Sequence, residues 1–163
     1  MMKRQDYGRY LATLLAVLLF APASIAGTLE GTVILVADGD TFTLQTKDMQ
    51  EVQIRLAEID APEGGQPYSS NAKEALAALI NGKQIRVKTH SKDQFGRTVG
   101  RPFVGDVDVV EEMVRMGAAW VYREYVLDRG LYALEREAKA DKRGLWGISE
   151  AEETPPWEWQ AKL

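Results

Sequence analysis

The sequence predicts an α+β chain in which a small five-stranded barrel carries three helices, in the order βββ-α-ββ-α-α. Three observations predict it. Short stretches of period-2 alternation, separated by turn residues, fill most of residues 29–104. One stretch of helical spacing interrupts them after the third strand, and two more follow the fifth. The length suits one domain with one ordinary core. The chain has no Cys, so stability rests on packing and on any bound metal, without a disulfide framework.

Residues 29–37 alternate loosely and are rich in Val and Ile, which makes a strand. Asp38-Gly39 is a turn dipeptide and residues 41–44 resume the alternation, giving a β-hairpin with Asp40 just past its turn. Lys47-Asp48-Met49-Gln50 turns into a third strand, residues 52–59. There Val52, Ile54 and Leu56 share the apolar face and Arg55 faces the other way. Pro62 ends the ladder and keeps Ala61 extended.

Residues 69–81 read as a helix with Ala72, Ala75, Leu76, Leu79 and Ile80 on one face. Asn71 with Glu74 resembles a capping box that would start it slightly later, and Gly82 stops it. Residues 84–89 form the fourth strand and 98–104 the fifth, where Pro102 calls for an edge or a bulge. Asp108 and Glu111 cap a short helix that turns Val110, Met113 and Val114 inward and ends at Gly117. Residues 119–122 are extended. Asp128 caps a last helix with Leu131, Leu134 and Ala138 on one face, and Gly144 stops it. Pro155-Pro156-Trp157, in the tail 150–163, suits a docked extended segment or a mobile end. A meander with a helix between its third and fourth strands matches a partly open barrel of the OB type.

The first 26 residues follow another logic. Lys3, Arg4 and Arg9 precede an apolar run, residues 11–20, and Ser24-Ile25-Ala26 resembles a cleavage site. This is the layout of a secretory signal peptide. The run is short for a membrane span, although an uncleaved anchor helix is the alternative. Cleavage after Ala26 predicts an exported domain of residues 27–163, periplasmic or secreted, without stable membrane association. Without Lys3, Arg4, Asp6 and Arg9, 17 basic and 23 acidic residues remain, a net charge of about −6. Such a balance argues against wide phosphate-backbone binding and leaves room for a local basic cleft. Lys83, Arg86, Lys88 and Lys92 supply one candidate patch.

The chemistry concentrates at residues 55–63. Arg55, Asp60 and Glu63 crowd a strand end, and carboxylates so close repel unless a cation sits among them. Asp40 lies at the end of a neighbouring strand. The only His is His90, so the donors are hard oxygens that favour Ca²⁺ or Mg²⁺. The plainer alternative is a set of turn carboxylates on a solvated surface. Arg97, after Gly96 in a polar loop, adds a second guanidinium. A divalent metal, a spare carboxylate and two arginines suit a phosphodiester: cations neutralise charge growing on phosphate oxygens and the carboxylate positions a water.

Asp38-Gly-Asp-Thr41, Ile54-Arg-Leu-Ala-Glu-Ile-Asp-Ala-Pro-Glu63 and Asp93-Gln-Phe-Gly-Arg97 together resemble the three active-site motifs of the staphylococcal-nuclease-like (thermonuclease) family. The resemblance continues through Gly117-Ala-Ala-Trp-Val-Tyr122 and Lys142-Arg-Gly-Leu-Trp146 to Pro-Pro-Trp-Glu-Trp159, an ending seen in some exported bacterial members. It implies an OB-fold barrel with three helices and Ca²⁺-dependent cleavage of DNA and RNA that leaves 3′-phosphate ends. By the same resemblance Asp40, Asp60 and the Ala61 carbonyl hold the metal, and Asp38 is a carboxylate just behind them. Glu63 holds the attacking water, and Arg55 and Arg97 clamp the phosphate. Phe95 stands where the family often has Tyr, Gln94 where it has Lys, and Val110 where it commonly has Asn; Pro102 is also unexpected there.

Tyr122 and Tyr125 either stack bases, as aromatic residues near this position do in the family, or seal a helix against the barrel. Phe95 is a further candidate for base or sugar contact. Trp120, Trp146, Trp157 and Trp159 read as packing residues. The expected substrate is single-stranded or frayed nucleic acid, bound by a monomer. A non-catalytic OB-fold binding module and a phosphodiesterase for small nucleotides are the alternatives, but a binding module has no need of Asp40, Arg55, Asp60, Glu63 and Arg97 together.

Overall fold

The computed structural model describes residues 27–149 and 154–161; the predicted signal segment lies outside them. Strands β1 (Gly27–Val36), β2 (Thr41–Thr46) and β3 (Glu51–Leu56) form the expected antiparallel meander. A two-residue β4 (Ile59–Asp60) and helix α1 (Ser69–Ile80) follow. Strand β5 (Gln84–Lys92) returns beside β1, and β6 (Thr98–Val104) pairs with β5. A parallel pairing of β3 with β6 then closes the sheet into a five-stranded barrel of the predicted type.

Closure follows from patterning. Phe42, Leu44, Ile54, Leu56 and Val87 alternate into the barrel and are fully buried. Leu76 and Ile80 of α1 cover one end of them, together with Met113 and Val114 of a second helix, α2 (Val109–Arg115). Each such side chain contributes about 1.5–3 kcal/mol on burial. Asp108 caps α2 as predicted: its carboxylate accepts from the amides of Val110 (2.9 Å) and Glu111 (3.2 Å). It also lies in a two-residue β7 (Val107–Asp108) that pairs with β6.

Several elements depart from expectation. The predicted strand 52–59 breaks in two, because Glu58 adopts a left-handed backbone (φ 68°) and sends Ile59 and Asp60 away from the barrel. They pair instead with β8 (Trp120–Val121), the predicted extended stretch. Helix α1 starts without the Asn71–Glu74 box: Tyr68 precedes it in a left-handed conformation and no side chain caps it. Pro102 is tolerated because the β3 pairing of β6 ends at Gly100 and the β7 pairing begins at Phe103, so the strand is locally an edge on that side. Asp128 sits two residues before the N-cap of α3 (Leu131–Ala140), where its side chain accepts from Gly130 N (2.8 Å) and leads the chain into the helix.

Beyond α3 the described residues add a 3₁₀ turn (Gly144–Gly147) and a further short helix, α4 (Pro156–Gln160), where no helix was predicted. The tail end is thus docked, and helical instead of extended. Proline at its first position fits the helix start, since no partner is needed for the missing N–H.

Candidate functional site

The site forms where β2, β3 and β6 lie side by side. Thr41 is opposite Arg55 in the antiparallel ladder, and Arg55 is opposite Val99 in the parallel one. Asp40 immediately precedes that rung and Arg97 lies two residues before it. The Asp38-Gly39 turn packs tightly enough that a Cβ on Gly39 would meet the Ala61 Cβ at 2.6 Å and the Ala72 Cβ at 2.8 Å. This close approach ties the hairpin turn to both the 55–63 stretch and α1.

Asp40 is buried and saturated. Its Oδ1 accepts from Thr41 Oγ1 (3.1 Å) and lies 3.2 Å from Arg55 Nε; its Oδ2 accepts from Ala61 N (2.8 Å). Asp38 Oδ1 accepts from Asp40 N (3.0 Å). Arg55 also ion-pairs with Asp60 and donates through Nη1 to Leu56 O (3.0 Å) and Ile59 O (2.9 Å). Of its five N–H groups this leaves one, on Nη2, without a protein oxygen. Asp60 Oδ2 receives no hydrogen bond from the described residues.

Burial pushes Asp40 up to about 6, with Arg55 pulling it back and Asp38 pushing it further. Burial likewise raises Asp60 to about 7 against the pull of Arg55, helped by Asp40 and Glu63. Burial would lower Arg55, but Asp40 and Asp60 outweigh it and hold the guanidinium above its ordinary value. One cation is therefore shared by more negative charge than it can neutralise. No three His, Cys, Asp or Glu side chains converge as a metal cage among the described residues. The donor chemistry nevertheless fits a hard divalent cation: two desolvated carboxylates, one with a free oxygen, which backbone carbonyl and water would complete. The structure ties down the Ala61 amide, not its carbonyl.

Arg97 reaches the cluster from its loop. Its amide and Nε are held by Asp93 (2.9 and 2.7 Å), and its Nη1 donates to Thr41 Oγ1 (3.3 Å). The Thr41 hydroxyl thereby links Arg97 to Asp40. Those hydrogen bonds to Arg97 and the Phe95 amide hold Asp93 below the usual carboxylate range despite its partial burial. The Phe95 ring is 74% exposed, with the Arg97 guanidinium 5.5 Å above it.

Glu63 lies beyond Pro62, close enough to act electrostatically on Asp60 and Arg55. Its amide donates to Gln66 Oε1 (3.0 Å) and its Oε1 accepts from Gln160 of α4. Tyr122 is half-buried beneath the tail: Trp157 of α4 stacks flat on it (5.1 Å, 1°), while Tyr125 meets it edge-on and stays exposed. Burial pushes the Tyr122 hydroxyl up. Trp120 packs edge-on against both Trp146 (4.4 Å) and Trp157 (5.9 Å), a packing role as expected. In the basic run, Lys83 closes α1 by donating to Leu79 O (2.8 Å), and Arg86 and Lys88 both lie over Phe103.

Sequence reasoning missed four participants. Thr41 was visible as part of a motif without its linking role. Gln66 and Gln160 had no signal, being single glutamines 94 positions apart. The fourth is Arg101, which pairs with Glu58 (2.8 Å), Asp108, Glu111 (3.3 Å) and Asp128 (3.0 Å) beneath the loop that carries Tyr122 and Tyr125.

A family model described as staphylococcal nuclease homologue matches residues 53–148. An Escherichia coli protein described as an uncharacterized endonuclease is 38% identical over 147 residues, covering 90% of this chain and 94% of that protein. The Shigella flexneri micrococcal nuclease is 34% identical over 156 residues, covering 89% and 88%. Protein ParB of Escherichia coli is 36% identical over 171 residues, covering 98% and 94%. With the barrel, the three motifs gathered around one rung, and these matches along most of its length, the chain belongs to the staphylococcal nuclease family.

Proposed function

We propose that this chain is an exported, calcium-dependent nuclease that hydrolyses phosphodiester bonds in DNA and RNA and leaves 3′-phosphate ends. The observation that carries the reading is the single cluster of Asp40, Arg55, Asp60 and Arg97, linked through Thr41, with Glu63 at its edge. Nuclease names among its relatives support the reaction class. Export rests on the signal-like pattern of residues 1–26.

Asp40, Asp60 and the Ala61 carbonyl would hold the ion. When bound, Ca²⁺ supplies Lewis-acid stabilisation of charge on the phosphate. Glu63 orients a water and accepts its proton as the water attacks phosphorus in line, and the 5′-oxygen leaves. Arg97, with three N–H groups unused by protein acceptors, takes the non-bridging oxygens. Arg55 adds its remaining Nη2 N–H from a fixed position, so little reorganisation is needed. The exposed rings of Phe95 and Tyr125 offer stacking surfaces for unpaired bases, which favours single-stranded or frayed substrate.

The test is cleavage of single-stranded DNA by the chain starting at Gly27, in Ca²⁺ and in chelator, beside Glu63→Gln and Arg97→Ala. Each variant should lose about 10²–10³-fold in kcat and chelation should abolish activity. Absence of cleavage by the wild type in Ca²⁺ rejects the reading. Cleavage indifferent to chelator or to Glu63→Gln rejects the assigned roles.

A further inference from the structure

Glu63 occupies a poorly supported place. It is followed by Gly64 and Gly65, around which an added Cβ would meet nothing within 4 Å. A carboxylate that must hold a water needs its rotamer and backbone fixed by neighbours. The barrel does not provide this; the tail does.

Gln66 is only 3% exposed although it lies in a loop, and both ends of its amide are used. Its Oε1 accepts from Glu63 N (3.0 Å) and its Nε2 donates to Thr154 O (2.7 Å) at the start of the docked tail. Its own amide donates to Glu63 O (2.8 Å). Six residues after Thr154, Gln160 Nε2 donates to Glu63 Oε1. The tail between these two contacts is anchored by buried Pro156 and by Trp157, which lies flat on Tyr122 and edge-on to Trp120. The hydrogen bonds form a closed circuit: Glu63 amide, Gln66, Thr154, α4, Gln160, Glu63 carboxylate.

We propose that residues 154–160 are a wall of the catalytic cleft, and that Gln66 and Gln160 are positioning residues that fix Glu63. The inference rests on the nuclease reading for its catalytic consequence, though not for the docking itself. Gln160 donates to one carboxylate oxygen only, which leaves Oε2 to hold the water.

The experiment uses the chain from Gly27 to Leu163 with Gln160→Ala, Gln160→Glu and Gln66→Glu. Gln160 is exposed, so its replacement leaves folding intact. In Ca²⁺ on single-stranded DNA, Gln160→Ala should lower kcat about tenfold or more with little change in KM, since displacing a reacting group by about 1 Å costs up to about 10²-fold. Gln160→Glu, which sets a like charge against Glu63, should fall further. Gln66→Glu keeps the acceptor for Glu63 N and loses the donor to Thr154 O, so it should also reduce kcat. Hydrogen exchange of the 61–68 segment is read in parallel and should speed up in all three.

Wild-type kcat and exchange in Gln160→Ala would overturn the inference. So would faster turnover, which would make the tail a cover over the site and not a support for it. An inactive wild type refutes the nuclease reading and the catalytic half of the inference with it. Unchanged exchange in that case would separately refute the positioning of Glu63 by the tail.

Discussion

Arg101→Met tests how the loop beside the site is held. Arg101 is 12% exposed and faces four carboxylates, of which Glu58 is the most buried, with a side-chain exposure of 2%. Removing the guanidinium leaves Glu58 ionised in a dry environment, a change that costs about 3–5 kcal/mol when a buried pair is broken. Glu58 Oε1 keeps its hydrogen bonds from the amides of Leu127 (2.6 Å) and Asp128 (2.7 Å), and Asp108 keeps its cap on α2. The lower end, about 3 kcal/mol, is therefore expected. For a domain of this size that lowers Tm by roughly 10 °C. Thermal unfolding followed by circular dichroism, with urea titration at 25 °C, measures it. The double variant Glu58→Gln/Arg101→Met should be more stable than Arg101→Met alone, since Gln still accepts from Leu127 and Asp128 without a charge. A double variant no better than the single one, or a Tm loss under about 3 °C, refutes the buried-charge account.

Two further outcomes follow from the site. Gly39→Ala places a methyl 2.6 Å from Ala61 and 2.8 Å from Ala72; it should destabilise by about 1–3 kcal/mol in urea titration, and wild-type stability would show that the turn can back away from α1. In chelator, Asp60, raised to about 7 in the folded state, binds a proton that the unfolded chain has lost. Its contribution to stability is therefore present below about pH 4 and is lost as pH rises to about 7. Asp60→Asn removes this slope, so its Tm should match wild type near pH 4 and exceed it at pH 8; parallel Tm curves would contradict the environment assigned to Asp60.

What the sequence made legible was whatever local periodicity and short motifs encode. Ile54 and Leu56 alternate with Arg55, and that alone puts Arg55 on the side of β3 away from the apolar core. Asp38-Gly39 marks the turn that delivers Asp40, and Asp108 caps α2 where its position suggests. Long-range complementarity was not legible. Glu58 looked like a strand residue, because nothing local shows that its carboxylate turns inward to meet Arg101, 43 positions later. Asn71 and Glu74 had capping spacing, yet the helix begins at Ser69, ahead of them. The tail's composition allowed docking or mobility. What decided between them is aromatic packing of Trp157 on Tyr122 and the reach of Gln160 to Glu63, two contacts without local sequence pattern.

The parallel contact between β3 and β6 has a consequence for how the two arginines tolerate change. Arg55 sits on a strand and Arg97 hangs from a loop, but the ladder fixes the chain at Val99 opposite Arg55, two residues from Arg97. The gap between the two guanidinium groups is thus set like the jaw of a fixed wrench, by the frame and not by the handle. Residues 94 and 95 can drift to Gln and Phe without altering the span the jaw must hold, whereas a one-residue slip of β6 against β3 would misplace the second jaw by about 3.3 Å. Changes in the 93–97 loop and changes in strand register therefore act on the pair of guanidinium groups separately, the first through the loop and the second through the barrel wall.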